Sequence, residues 1–367
     1  MQRTRARDLG LDFAGRPGPH NALTDVPGVL VGYSTLIEGD GELVVGKGPV
    51  RTGVTAILPR GRQRELMPIW AGVHALNGNG EMTGVHWIRD AGHFLSPICI
   101  TNTHSVGIVH HAVTRWMMDS HPAEFRDEHL WALPVVAETY DGVLNDINGQ
   151  HVTEAHVYDA LGAAAGGAIA EGNVGGGTGM ICYEYKGGTG TASRRITVGG
   201  EDYTVGALVQ ANHGIRDWLT ILGVPVGRYL RDDRLLDTER GSIIVVIGTD
   251  APMLPHQLRR LAERASIGIG RNGTPGGNSS GDIFLAFSVA NPMSRQQMAA
   301  PRSTLEYVAD NCFDPIYLAA VEATEEAVIN ALVAAEDMST VKPRGKVCRA
   351  IDHDALRDIM SRHGRIK

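Results

Sequence analysis

Long apolar runs are missing from this 367-residue chain; the longest aliphatic stretch is the IIVVI of residues 243–247. A membrane-spanning helix needs roughly 20 apolar residues, so no span and no membrane partner are expected. A basic excess is missing as well. Lys and Arg number 34 against 41 Asp and Glu, a net charge of −7, whereas a nucleic-acid partner wants a basic face. Cysteine is scarce, and Cys99, Cys182, Cys312 and Cys348 form no CxxC pair. Such scattered thiols read as reduced, mostly buried side chains of a cytosolic protein. Arg3, Arg5 and Arg7 lead the chain without an apolar segment behind them, so no signal peptide is visible and a cytoplasmic location is expected. Glycine is abundant, at 46 residues, but follows no G-X-Y period, which excludes a collagen-like chain.

Several motifs are absent too. There is no GxxxxGK[ST]; Gly46-Lys47-Gly48 lacks the Ser/Thr and the preceding glycine. The GNVGGGTGM run at 172–180 fails the GxGxxG register and marks a tight backbone approach, not a dinucleotide cradle. There is no HExxH, and the 15 histidines, including His110-His111, show no metal-ligand spacing. No metal and no cofactor are expected. Neither a Pro/Ser linker, a charge block nor an internal repeat divides the chain. Length alone suggests about two domains at roughly 150 residues each, though one large domain is allowed.

What is present is ordinary globular material, 43% hydrophobic and 20% charged, enough to build a sizeable core. Residues 1–60 read as short strands and turns, with strand candidates at 29–33 and 54–58. Residues 77–84 (NGNGEMTG) read as a loop, and 105–118 as a helix with Ser105 as its N-cap. Residues 135–140, 204–212, 242–247 and 283–287 suit strands, with a hairpin-like turn at Gly199-Gly200. Small residues at 154–171 suggest a closely packed helix. Leu254, Leu258, Leu261, Ala262 and Ala265 fall on one helical face. Residues 315–335 read as a long helix with Glu322, Glu325 and Glu326 turned outward. Strands and helices mix without strict alternation, which supports a layered α+β or α/β class.

Two serines invite a chemical reading. Ser279 lies in GNSSG, a formal G-x-S-x-G match. A nucleophile elbow needs a strand before the serine and a helix after it, and here a loop precedes and a strand follows. A Gly/Ser turn is the better reading. Gly241-Ser242 stands directly before the aliphatic run. Its bland reading is a turn entering a buried strand. The chemical reading is self-cleavage: glycine leaves the scissile carbonyl unhindered, and the serine hydroxyl attacks it by an N→O shift. The freed α-amine, with a reference pKa of about 8, then serves as base for its own hydroxyl.

Many segments resemble one family: DVPGVLVGY, RTGVTAILP, HALNGNGEMTG, ITNTHSVG, VVAETYDGVLND, EGNVGGGTGM, VQANHG, GSIIVVIGTDAPMLP, SSGDIFLAFSVAN and ATEEAVINAL. On these the chain resembles the L-aminopeptidase/D-esterase family, which includes the β-peptidyl aminopeptidases (peptidase family S58). The resemblance implies an αββα sandwich of the N-terminal-nucleophile type, wired differently from the proteasome-like topology. It implies one domain cut into an α-chain, 1–241, and a β-chain, 242–367, that stay together and assemble to tetramers of such heterodimers. Substrates are small peptides, amides or esters, and no cofactor is used.

Carried over by motif, Ser242 matches the nucleophile, with cleavage after Gly241. Asn212 in VQANHG matches the side-chain donor of the oxyanion hole. Tyr140 in AETYDG matches an active-site tyrosine, and Glu138 the carboxylate that holds the substrate ammonium. Strand alternation puts Glu138 and Tyr140 on one side, which independently supports a shared pocket. Ser280 and Asp282 match the pair that orients Ser242; the best-known members carry the longer Glu at the position of Asp282. Asn212, Glu138, Tyr140 and Asp282 each have a bland alternative as a turn, surface, core or capping residue. Two other functions remain open. Nylon-oligomer hydrolases and acyltransferases related to ornithine acetyltransferase use a similar nucleophile, usually threonine. An uncut homologue would be a binding or structural oligomer.

Overall fold

Both faces of the IIVVI run are covered in the structure, a computed structural model that describes residues 3–63, 65–236 and 238–367. The run lies in the middle of a six-stranded sheet and is buried throughout. That sheet has the order β4 (His93–Phe94), β3 (Ile69–Ala75), β12 (Gly281–Ser288), β11 (Ser242–Thr249), β10 (Glu201–Asn212) and β9 (Gly188–Val198). A second, four-stranded sheet has the order β1 (Leu30–Glu38), β2 (Val50–Leu58), β5 (Ile98–Asn102) and β6 (Val135–Thr139). Two small hairpins complete the set: β7 (Ile181–Cys182) with β8 (Tyr185–Lys186), and β13 (Met338–Val341) with β14 (Arg344–Cys348). The strands expected at 204–212, 242–247 and 283–287 all form. Gly199 and Gly200 turn β9 into β10, both at positive φ, which a two-residue hairpin turn demands.

The two sheets pack face to face and each carries helices outside. Along β11 the side chains alternate between two cores. Ile244 and Val246 meet Ile57, Ile98, Ile100 and Ala137 of the other sheet. Ile243, Val245 and Ile247 meet the helical layer of α6 (Pro255–Arg271) and α8 (Asp314–Val333). A third core joins the outer face of the four-stranded sheet to α2 (Val106–Ser120) and α4 (Glu154–Gly162). The layers are therefore α, β, β, α, the sandwich implied by the family resemblance. Helices α1 (Val85–Ala91), α3 (Pro122–Asp127), α5 (Val226–Tyr229) and α7 (Arg295–Met298) lie in connections, and α9 (His353–Arg362) packs into the same core as α8.

Three local expectations need correction. The 154–171 helix stops at Gly162, because Ala165 leaves to exchange two backbone bonds with Val31, each 3.0 Å. The close packing is real: a Cβ at Gly32 would lie 2.2 Å from Ala160 O of α4. Ser105 precedes α2 but its hydroxyl makes no capping bond; Asn102 caps the turn before it through His104 N–H. Glu322, Glu325 and Glu326 are all buried, not outward. Helix α8 is covered on both sides, so its carboxylates have cationic partners. Glu325 accepts from Arg271 at 3.0 Å, and Arg194 lies 3.3 Å from Glu322 and 2.8 Å from Glu326.

The basic N-terminus joins the same network. Arg7 donates to both oxygens of Glu326, at 2.7 and 2.9 Å, and Asn21 adds a third bond at 2.6 Å. Arg5 pairs with buried Glu171 at 2.6 Å. Burial pushes the Glu326 carboxyl up, but Arg7, Arg194 and Asn21 outweigh it and hold it below the usual range. Residues before 242 thus grip a helix that follows 242 through ion pairs removed from water.

Candidate active site

Ser242 is the first residue of β11. It stands opposite Asn212 on the antiparallel side and Gly281 on the parallel side. This register alone gathers Asn212, Gly241, Ser242, Ser280 and Asp282 at one end of three adjacent strands; Glu138 and Tyr140 come from the other sheet. The Ser242 hydroxyl is buried and donates to Gly241 O at 2.8 Å. Gly241 is there for space: a Cβ would lie 1.9 Å from Asn212 O and 2.7 Å from His213 Cα. Asn212 is held by two bonds. Its Oδ1 accepts from Ile181 N–H at 2.8 Å, and its Nδ2 donates to Tyr140 O at 3.0 Å. An amide NH2 carries two hydrogens, so one donor of Asn212 stays available.

On the other side, Ser280 donates to Asp282 Oδ1 at 2.6 Å, so the aspartate reaches its serine despite the shorter side chain. Asn77 Nδ2 lies 3.4 Å from Asp282 Oδ2. Burial pushes the Asp282 carboxyl up, and bonds from Ser280, Asn77 and the Ile243 N–H pull it back. Ser279 sits in a turn before β12, with neither a preceding strand nor a following helix, so the G-x-S-x-G match is no elbow.

The 77–84 loop links this group to Glu138. A Cβ at Gly281 would lie 2.2 Å from Asn79 O, and one at Gly80 would lie 3.3 Å from Glu138 Oε1. Glu138 is buried on β6, accepting from Glu81 N–H at 2.9 Å and from the Thr103 hydroxyl. Burial pushes its carboxyl up, against those two bonds. Tyr140 follows the strand and is partly exposed. It meets the site through its carbonyl on Asn212, while its hydroxyl lies over Gly142. Tyr140, Asn212 and Gly241 line one cavity of about 450 Å³; Glu138 is not among its lining residues. The shared pocket expected from strand alternation therefore does not form as one cavity: the strand ends at Thr139, so Tyr140 lies beyond it and no longer follows its alternation.

His213 follows Asn212 but is fully buried, and burial pushes it down to about 3, so it is neutral near pH 7. Among the described residues, no group of three or more His, Cys, Asp or Glu is placed to hold a metal ion. No helix among them is long and apolar enough to cross a membrane.

Residues 21–345 match peptidase family S58. The chain belongs to that family. It is 50% identical to the β-peptidyl aminopeptidase BapA of Sphingosinicella microcystinivorans, over 99% of this chain and 93% of that one. The solved L-aminopeptidase D-Ala-esterase/amidase of Ochrobactrum anthropi, described as a prototype serine aminopeptidase and a variant of the Ntn hydrolase fold, superposes with a TM-score of 0.94. It is 57% identical, with 99% of each chain covered. A Burkholderia β-aminopeptidase superposes with a TM-score of 0.89 at 48% identity, covering 98% of this chain and 99% of that one.

Three further polar residues lie beside these groups in the structure, and motif reading passed over them. Glu239 accepts from Gly214 N–H at 2.7 Å, tying the segment before Ser242 to the end of β10. Asp141, beside Tyr140, is buried and pushed up to about 7 by its burial, against bonds from Thr52, Asn145 and Asn102. Asn77 touches Asp282 from a loop that pattern could only recognise as a loop. Glu239 carries no local signal, because its partner is Gly214, 25 residues earlier, and two of the partners of Asp141, Thr52 and Asn102, come from other strands.

Proposed function

We propose that this S58 peptidase cuts its own chain between Gly241 and Ser242 and then releases N-terminal residues from small peptides, amides or esters. The observation that carries the reading is the Ser242 hydroxyl against the Gly241 carbonyl, at the head of a central strand with Asn212 opposite. In the first step Ser242 Oγ attacks the Gly241 carbonyl carbon and the peptide C–N bond breaks. The Ser242 nitrogen leaves as the new α-amine, and water hydrolyses the ester to free a Gly241 carboxylate. The pieces are 1–241 and 242–367. The β10–β11 ladder and the buried ion pairs to α8 hold them as one heterodimer, which assembles further as a tetramer of heterodimers.

The same hydroxyl then serves each substrate. The α-amine of Ser242, with a reference pKa of about 8, takes the hydroxyl proton as Oγ attacks the scissile carbonyl. The available N–H of Asn212 meets the developing oxyanion. Ser280 and Asp282 orient the nucleophile from the parallel strand, and Tyr140 fixes Asn212 through its carbonyl. Glu138 holds the substrate ammonium, which restricts attack to the first residue. The leaving amine takes the proton, and water, activated by the same base, releases the acyl group. Four unpaired cysteines, three of them buried, support a reducing, cytoplasmic setting.

Denaturing electrophoresis tests the cut. The purified protein is expected to give two bands, the smaller beginning SIIVVIGT on N-terminal sequencing, and Ser242→Ala a single band without peptidase activity. A wild-type chain that stays whole after prolonged incubation refutes the self-cleavage.

A further inference from the structure

The cavity beside Ser242 is electrically one-sided. Arg240, Lys342 and Lys346 line it, and among the described residues no carboxylate does. Lys342 and Lys346 belong to the β13–β14 hairpin, which is docked, not loose. Val341 and Lys342 both donate backbone bonds to Val143 O, at 2.8 and 3.1 Å, and Val143 lines the same cavity as Tyr140. Arg344, at the hairpin tip, reaches away to Glu42 at 3.6 Å. Neither lysine pairs with a carboxylate among the described residues. The rest of the wall includes Leu235, Leu236 and Ile181. Like charges set against an apolar wall focus a positive potential into the space between them.

We propose that Lys342 and Lys346, with Arg240, take the free carboxylate of the substrate's leaving portion, so that short peptides with an unblocked C-terminus are selected. The proposal rests on the aminopeptidase reading. It gives the site opposite poles: Glu138 for the ammonium of the residue released, and the basic rim for the carboxylate of what departs. A dipeptide, at most about 7 Å long when extended, carries both charges close to the bond that breaks. The cut after Gly241 would generate a second carboxylate in the same cavity. The experiment separates that source from the substrate.

The test compares kcat/KM for one dipeptide as free acid and as C-terminal amide, in the processed enzyme and in Lys342→Met/Lys346→Met. The expected acid-to-amide ratio is about fivefold in the wild type and about one in the double variant, with the loss in KM. Charge reversal, Lys342→Glu/Lys346→Glu, is expected to invert it. High salt should shrink the wild-type ratio without any mutation, since exposed pairs are screened. A wild-type ratio near one, or a ratio untouched by both variants, overturns the proposal. Equal losses on acid and amide overturn it too, and assign the rim to the Gly241 carboxylate. A processed enzyme that cleaves neither substrate refutes the aminopeptidase reading itself, and the proposal with it.

Discussion

Replacing Gly241 by alanine tests whether the glycine is needed for room. An ideal Cβ there lies 1.9 Å from Asn212 O, against the 3.0 Å below which real Cβ contacts essentially never fall. The backbone must therefore yield by about 1 Å. The obstacle is main chain of β10, which has no rotamer to change, so the shift falls on the Gly241–Ser242 peptide. Overpacking of this kind costs about 1–3 kcal/mol, and a misplacement of 1 Å slows a positioned reaction about a hundredfold. Gly241→Ala is expected to mature about 10²-fold more slowly than wild type, followed as the two-band fraction over time after synthesis. Gly270→Ala is the control. Gly270 lies in α6 with nothing within 4 Å of an added methyl, so alanine should stabilise by up to about 1 kcal/mol and leave maturation alone. Maturation of Gly241→Ala at the wild-type rate would refute the steric argument.

Glu326→Ala removes the carboxylate shared by Arg7, Arg194 and Asn21. Arg194 keeps Glu322 at 3.3 Å and Arg7 is partly exposed, so the loss is that of charged hydrogen bonds, about 1.5–3 kcal/mol. Urea denaturation should show it, and an unchanged midpoint would remove the network from the account of stability. Asp141 keeps its proton up to about 7 in the folded chain, against an ordinary 3.8. The unfolded state therefore binds fewer protons between about pH 4 and 7, and folding weakens as pH rises through that window. Relative to Asp141→Asn, the wild type should lose about 2–4 kcal/mol from pH 4 to 8; a pH-independent difference contradicts this. Glu138→Gln should raise KM for substrates with a free amine about ten- to a hundredfold, as expected for losing a charged hydrogen bond. An unchanged KM would take the ammonium away from Glu138.

The strands that carry the site were legible because they are extreme. Residues 243–247 are all β-branched with both faces buried, and 204–212 and 283–287 carry the same signal more weakly. The helix from 255 was legible because its inner face is apolar at regular spacing. Glu322, Glu325 and Glu326 misled for a definite reason. Acidic residues on a helix read as a solvated face, and the cations that hold them inside come from positions 7, 194 and 271. No local pattern contains such a pairing. The same holds for Glu239, whose partner Gly214 lies on the far side of a long connection. Ser242, Asn212, Ser280 and Asp282 were found through motifs, and their adjacency follows from strand order, which no single segment reveals.

Chain termini are ordinarily where a domain frays, with opening free energies near zero. A terminus made at Ser242 is fenced by Asn212 on one side and Gly281 on the other, inside the six-stranded sheet. Its surroundings are built while the chain is still whole. The amine would be born already immobilised, with no loop to order and no docking step to wait for. Sheet geometry in the precursor thereby sets the precision of the mature nucleophile, and a fault in β10 or β12 would be felt in turnover before it was felt in folding.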